Sequence, residues 1–500
     1  MEVSKKFKLA LILSNLMLFV YLVFRLINQA KILKYFPLDT TNDISSHIAQ
    51  LYFLKTCGFH NLCAYWYNGY SLLKFYPPGW FFFSYPLLLI FKRPEIAAYV
   101  SIILMLLISF IAIYKIIKLK EKSFLKSTSF FLFLFGTATS VSGFFRLGRV
   151  TELFGWMIFL ILSYFILKYK DKSFDYNFIY FIPFYTIMLI AQPIVTIPFH
   201  FFLLSLFLVK LRSKKELLIL IVFTLLGIIL SSFWWYPFVN SLGSESRTYS
   251  YLPEITQRFF DLTGQWVSST ILITILPIIT LVMFYIYYLT NKDKKELLFY
   301  SPILLISLLV VTRIATIIPY LNFVYPEPYF TFFIIFILIF LFNLNFEKLP
   351  RILQNLIPLG IILVSILSIS VSVLTTSYYQ GHTQLEKTTL NLLNEAKGPF
   401  MILETPSSTS YPKAYYSYAA IYLNLSTPSG WSPSELTDER NDLLNKVGST
   451  FHNKNCNDFI DVANKLNLKE IITYNEFCNL KEKCNFRERI IKDNTCLIRL

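Results

Sequence analysis

The chain reads as an α-helical polytopic membrane protein, with about eleven spans and one re-entrant or interfacial segment, followed by a small soluble α/β domain. Three observations predict this. Of 500 residues, 55% are hydrophobic and only 15% charged, with a mean hydropathy of +0.53; that is too much apolar surface for one soluble core. Apolar runs near the ~20 residues that cross a bilayer recur from Leu9 to Leu374, after which hydropathy drops. The six cysteines avoid every apolar run and every lysine-rich connection: Cys57 and Cys63 lie in the first long polar loop, and Cys456, Cys478, Cys484 and Cys496 lie in the tail. Even numbers of thiols confined to two segments predict disulfides on the side of the membrane that faces an oxidising compartment. The four tail cysteines allow three pairings, and spacing does not choose among them.

The first run, 9–27, follows Lys5, Lys6 and Lys8, and no small-residue cleavage site comes after it. It reads as a retained anchor with a cytoplasmic N-terminus. Further spans are expected near 96–117, 129–145, 153–168, 178–190, 194–209, 217–236, 268–290, 297–312, 329–344 and 352–374. The segment 80–91, about a dozen apolar residues after Pro77-Pro78, is short for a span and reads as re-entrant or interfacial. Loop charge supports that reading. If 80–91 does not cross, the loops holding Lys118 to Lys126, Lys168 to Lys172, Lys210 to Lys215, Lys292 to Lys295, and Lys348 with Arg351 all fall inside. If it crosses, everything downstream inverts and the tail cysteines face the cytosol. The arrangement adopted is a membrane domain at 1–374, with a first outer loop at 28–79, and an extracytoplasmic domain at 375–500. In the latter, helices are expected at 385–396, 435–447 and 458–466, and strands at 400–404, 470–474 and 496–500.

The net charge of +16 is mostly a topology signal. Basic residues are scattered over short loops and form no stripe with aromatic platforms, which argues against nucleic-acid binding. There is no Walker motif, glycine-rich dinucleotide fingerprint, zinc-type cysteine pair or nucleophile elbow. Chemistry is therefore sought in the outer loops, whose short turns use arginine: Arg146, Arg149, Arg247, Arg258 and Arg313. Guanidinium is the planar fork that binds phosphate or carboxylate, so these side chains are candidates to line an anion site. The plainer alternative for each is pairing with a helix-end carbonyl or a headgroup.

In the first outer loop, Asp43 is placed to open a short amphipathic helix carrying Ile44, Ile48 and Leu51 on one side. Asp43, His47 and Gln50 then form one polar stripe at the membrane surface, suited to holding a metal or taking a proton; the plainer reading is a helix cap and a solvated histidine. The loop continues through Trp66-Tyr67-Asn68-Gly69-Tyr70 to Lys74-Phe75-Tyr76-Pro77-Pro78-Gly79, which reads as a rigid lid. Further on, Gln192-Pro193 reads as a break between short helices lining a polar cavity. Tyr325-Pro326-Glu327 either brings another acid to that cavity or makes a stiff turn.

An acid after the first span, an aromatic-glycine turn and a Lys-x-x-Pro-Pro run resemble the first outer loop of GT-C-type integral-membrane glycosyltransferases, nearest in pattern to the protein O-mannosyltransferase and lipid A aminoarabinose transferase branches. Gly148-Arg149-Val150-Thr151-Glu152 is similar to the family's second outer loop. The resemblance implies a sugar donor on a polyprenyl phosphate, Asp43 as catalytic base, Glu152 as second acid, and Lys74 as a donor-phosphate contact. It also implies a divalent cation near the acids; carboxylate ligands favour Mg or Mn. The acceptor that the resemblance implies is a lipid, glycan or protein. Ile44 and His47 depart from the pattern of those branches, and the Trp-Trp-Asp-Tyr-Gly motif of oligosaccharyltransferases is absent.

By their chemistry, Arg146, Arg149 and Lys74 are candidates to stabilise the leaving phosphate, and Asp43 or Asp39 to take the acceptor proton. Arg247, Arg313, His47 and Trp66 complete the substrate-binding candidates. Two rivals remain. A lipid or glycan transporter should carry more ionisable groups inside its spans than the one seen, Arg25. A non-catalytic protein of cell-envelope assembly would tolerate loss of Asp43 and Glu152.

Overall fold

The computed structural model describes residues 2–38, 43–242, 252–406, 412–431, 437–484 and 486–500. Asp39 and Arg247 lie outside them. In order, the helices are α1 (Glu2–Gln29), α2 (Ile44–Thr56), α3 (Gly79–Phe91), α4 (Pro94–Lys118), α5 (Phe124–Phe135), the single turn α6 (Ala138–Ser140), α7 (Val150–Tyr169), α8 (Phe181–Ala191) and α9 (Pro193–Lys210). They continue with α10 (Lys214–Leu230), α11 (Ser232–Leu242), α12 (Leu252–Phe260), α13 (Val267–Asn291), α14 (Lys294–Val311), α15 (Pro326–Phe342) and α16 (Arg351–Thr375). Their starts follow local chemistry. Ser123, Ser213 and Asp293 cap α5, α10 and α14 with their side chains, and proline opens α4, α9 and α15.

Among the described residues, six helical segments are long and apolar enough to cross a bilayer: α4, α7, α9, α13, α16 and the segment Lys5–Leu33. Two bent pairs, α5 with 138–146 at 50° and α10 with 232–240 at 65°, raise the count to eight if each is one span. The chain is thus an integral membrane protein. The expected spans at 178–190, 297–312 and 329–344 fall on α8, α14 and α15; α8, even with the turn before it, and α15 are apolar but shorter than the other six. α3 starts against the end of α8 and Phe154 of α7. Just past its end, Arg93 donates to the Leu33 carbonyl at 2.9 Å, so both ends of α3 meet the bundle where α1 finishes and α7 begins.

The first long loop contains a two-stranded hairpin, β1 (Leu62–Cys63) with β2 (Tyr70–Ser71), antiparallel. A Cys57–Cys63 disulfide closes the chain in front of it.

Beyond α16 the chain builds a four-stranded sheet in the order β3 (Phe400–Ile402), β4 (Glu470–Tyr474), β6 (Thr495–Arg499), β5 (Glu488–Lys492). β3 and β4 are parallel, and the other two pairings are antiparallel. Helices α17 (Gln384–Leu393), α18 (Pro412–Tyr418), α19 (Asp438–His452), α20 (Cys456–Lys465) and the short α21 (Leu480–Cys484) accompany it. The strand expected at 470–474 matches β4, and the helix expected at 435–447 is found later, as α19. β5 went unread because Glu488-Arg489-Ile490-Ile491-Lys492 is largely charged and only part-buried. The tail disulfides are Cys456–Cys484, which fastens α20 to α21, and Cys478–Cys496, which ties the segment after β4 to β6.

Candidate active site

Gly148 sets the geometry. It sits at φ +72°, in the left-handed region, and a Cβ there would meet Ile44 Cβ at 2.5 Å and Ile44 N at 2.7 Å. Lacking a side chain, it lets the turn before α7 lie against the first turn of α2, where the Asp43 N–H donates to the Leu147 carbonyl at 2.7 Å. Asp43 and Glu152, distant in sequence, thereby line one cavity of about 210 Å³.

Besides α2, whose N-cap is Asp43, three helices begin at this cavity. The N-cap residues of α7, α9 and α15, which are Arg149, Gln192 and Tyr325, all line it. Helix N-termini carry partial positive charge, so three of them around one space favour an anion. Two guanidiniums add to that field, Arg149 and Arg258 of α12. Arg149 lies 3.8 Å from Glu152 and 4.0 Å from Glu327, and Arg258 lies 3.6 Å from Glu327. The Arg258 guanidinium sits 3.7 Å over the Trp266 ring and 4.9 Å from the Tyr325 ring centre, which fixes its plane. Glu152 is buried in the first turn of α7, where the helix dipole favours an acid, and its Oε1 accepts from the Trp156 indole at 3.1 Å.

On the Asp43 side the structure corrects two expectations. Asp43 occupies the N-cap position of α2, but its side chain makes no capping bond; Oδ1 instead accepts from the Trp431 indole N–H at 2.9 Å. The stripe of His47 and Gln50 is not at the surface. Both are 1% exposed; the His47 ring is enclosed by Tyr76, Trp80, Phe81 and Trp431, and α18 packs against α2. Burial pushes the His47 imidazole down to about 4, against the opposing pull of the Asp43 charge, so His47 is neutral at physiological pH. Its Nε2 lies 3.1 Å from the Tyr76 hydroxyl, which in turn lies 2.9 Å from the Thr151 hydroxyl. Burial pushes the Tyr76 phenol up, so it keeps its proton and can donate.

Trp431 arrives on a strap from far along the chain. Tyr67 N donates to Ser429 O, Asn68 N to Thr427 O, and Thr427 N to Tyr65 O, at 2.9 to 3.2 Å. Gly430 lies so close to Tyr67 that a Cβ would meet its ring at 2.5 Å. The Trp431 ring packs edge-on to His47 and Tyr76, with centroids at 5.0 and 5.2 Å. Lys413 Nζ donates to the Trp431 carbonyl at 3.0 Å; burial lowers its ammonium, and the Asp43 charge opposes that shift.

Of the sequence-derived candidates, Asp43, His47, Arg149 and Glu152 come together. Four others sit elsewhere. Lys74 lies over the Phe75 ring. Trp66 is buried between Phe53 and Tyr70. Arg146 donates to the Ser377 hydroxyl at 2.7 Å and sits over Tyr379. Arg313 is directed to the Ile273 carbonyl and the Thr274 hydroxyl on α13, the helix-end role that was its plainer alternative. Arg258, one of the arginines read as candidates for an anion site, also lines the cavity, whereas Tyr76, Thr151, Lys413 and Trp431 were missed as site residues. Trp431 had a readable signal, since no other tryptophan follows Thr375.

A scan of known protein families finds no match, and neither does a search of curated proteins. Solved structures do match. The Archaeoglobus fulgidus oligosaccharyltransferase, in a complex with Zn and sulfate, aligns at a TM-score of 0.53 and 11% identity over 92% of this chain and 68% of its own. The same archaeal enzyme, AglB, with an inhibitory peptide and a dolichol-phosphate, aligns at 0.53 and 12% over 91% and 69%. The mycobacterial arabinofuranosyltransferase AftD aligns at 0.56 and 11% over 96% of this chain and 39% of its own. These neighbours are GT-C glycosyltransferases, and the fold of the present chain is theirs.

The resemblance implies a divalent cation near these acids. Among the described residues no group of three His, Cys, Asp or Glu side chains is placed to hold a metal. Asp43 gives one oxygen to Trp431, and Glu152 and Glu327 flank Arg149. Mg is commonly held through one or two protein carboxylates, with waters and substrate phosphates completing its shell; Asp43 and Glu152 are the acids that would contribute here, and the described residues form no all-protein cage.

Proposed function

We propose that the protein is a membrane glycosyltransferase that moves a sugar from a polyprenyl-phosphate carrier to an acceptor hydroxyl or amide on the extracytoplasmic face. The observation that carries this reading is the cavity in which Asp43 faces Arg149 and Arg258 across the starts of three helices. A base and a preorganised anion site in one space are the two parts that transfer from a lipid phosphate needs. Asp43 takes the acceptor proton as the acceptor oxygen or nitrogen bonds to the anomeric carbon. The bond from that carbon to the phosphate oxygen breaks, its electron pair stays with the lipid phosphate, and the guanidiniums meet the charge that develops there. Glu152 is a positioning residue that holds Arg149. Neutral His47 and Tyr76 shape the wall beside Asp43.

The same reading takes the oxidising compartment of the six cysteines as the side where the cavity opens, with 375–500 as an extracytoplasmic domain, eleven crossings and a cytoplasmic N-terminus. The test is incubation of membranes that hold both the protein and its native acceptors with a radiolabelled polyprenyl-phosphate sugar, following release of the lipid phosphate. Wild type is expected to turn over, with Asp43→Asn lower by about 10²-fold or more. Equal turnover by both would remove Asp43 as the base.

A further inference from the structure

A second cavity, of about 410 Å³, opens at the other end of the bundle, between the end of α7, the end of α9 and the starts of α10 and α14. α7 has 20 residues and runs from one cavity to the other. At 1.5 Å per residue the two lie roughly 30 Å apart, about one hydrocarbon thickness. Its charged lining comprises Lys170, Lys172, Lys210, Arg212, Lys294 and Lys295 against two carboxylates, Asp171 and Glu216.

Two of these cations have structural work. Lys170 caps the end of α7 and pairs with Glu296 and with Asp171. Lys210 ends α9, pairs with Glu216 at 2.8 Å and donates to the Lys172 carbonyl at 2.7 Å. Cations at helix C-termini are expected on dipole grounds alone. The remaining four are different. Among the described residues, Lys172, Arg212, Lys294 and Lys295 have no carboxylate within the 4.0 Å of an ion pair. They come from three separate loops to the rim of one concave space, and two of them, Lys294 and Lys295, begin a helix. All four are exposed at the rim, where an anion seated among them would relieve the repulsion that solvent only screens. Loop lysines that only set topology have no need to converge. Val209 and Leu298 give the same lining an apolar side.

We propose that this cavity binds a multiply charged phosphate group, carried by an anionic lipid headgroup or by a soluble phosphate compound. The inference does not depend on the catalytic reading. Its test uses full-length protein in detergent. Native mass spectrometry would score retention of phosphatidic acid against phosphatidylcholine, and inorganic pyrophosphate would be titrated as a competitor. The variants are Lys172→Gln/Arg212→Gln and Lys294→Gln/Lys295→Gln, which break no ion pair, with Lys118→Gln/Lys122→Gln as a control on another loop. Thermal midpoints without ligand report folding.

Phosphatidic acid is expected to be retained preferentially, with affinity at least tenfold weaker in each cavity variant and unchanged in the control. Displacement by pyrophosphate would assign the site to the phosphate group alone. Resistance to displacement, with loss in the variants, would assign it to a lipid headgroup with its chains. Equal retention by wild type and both cavity variants would overturn the proposal. So would an equal loss in the control, since that outcome is general attraction to a basic surface.

Discussion

At the scale of single residues, the decisive contact is the indole N–H of Trp431 on Asp43. A hydrogen bond to a charged acceptor contributes roughly 1.5 to 3 kcal/mol. Trp431→Phe keeps the ring against His47 and Tyr76 but removes the donor, so its unfolding free energy is expected to fall by up to about that much, read as a lower thermal midpoint; an unchanged midpoint would show that the bond adds no stability. His47 adds a pH dependence. Its imidazole sits at about 4 in the folded protein, below the ordinary 6.5. The unfolded chain therefore binds more protons between those values. The contribution of neutral His47 is complete above pH 6.5 and is lost as pH falls towards 4, by up to about 3 kcal/mol. Thermal unfolding of wild type and His47→Gln from pH 7 to 4 checks this: the wild type should lose more stability on acidification, and parallel curves would contradict the assignment.

At the scale of elements, the junction of α2 with α7 is where the two acids meet. Gly148→Ala would force a Cβ to 2.5 Å from Ile44 at a positive φ. It is expected to cost more than 1 kcal/mol and to reduce turnover by separating Asp43 from Arg149, read as a lower midpoint together with a lower kcat. Normal turnover in this variant would mean that the junction does not set the site. This part of the fold was legible in the sequence, because Asp43, Gly148, Arg149 and Glu152 fall in loops where polar residues stand out against apolar runs. Gln192 and Glu327 were also legible as cavity neighbours, through the prolines that follow and precede them. The partner of Asp43 was not. Trp431 reaches it by backbone pairing of 427–429 with 65–68, a long-range contact that no local periodicity encodes. The burial of His47 shares that origin in part, since Trp431 packs on its ring alongside Tyr76, Trp80 and Phe81. Nor did sequence separate Arg258, which faces the cavity, from Arg146 and Arg313, which serve carbonyls and hydroxyls around them.

At the scale of the whole molecule, apolar helices carry a polar cavity at each end, and disulfides lie in the first loop and the tail. The Cys456–Cys484 bridge closes 28 residues, a loop for which chain entropy predicts a stabilisation of roughly 3.5 kcal/mol. Protein recovered from intact cells is expected to show all three pairs by mass spectrometry without reductant, and free thiols at these positions would place the loop and tail in a reducing compartment. The central claim concerns the cavity beside Asp43, and it is tested most directly by a structure with a non-hydrolysable phosphonate analogue of a polyprenyl-phosphate sugar. The account predicts the phosphonate between Arg149 and Arg258, with the anomeric carbon turned towards Asp43. A phosphonate bound away from both arginines, or only among Lys172, Arg212, Lys294 and Lys295 at the opposite end, would contradict it.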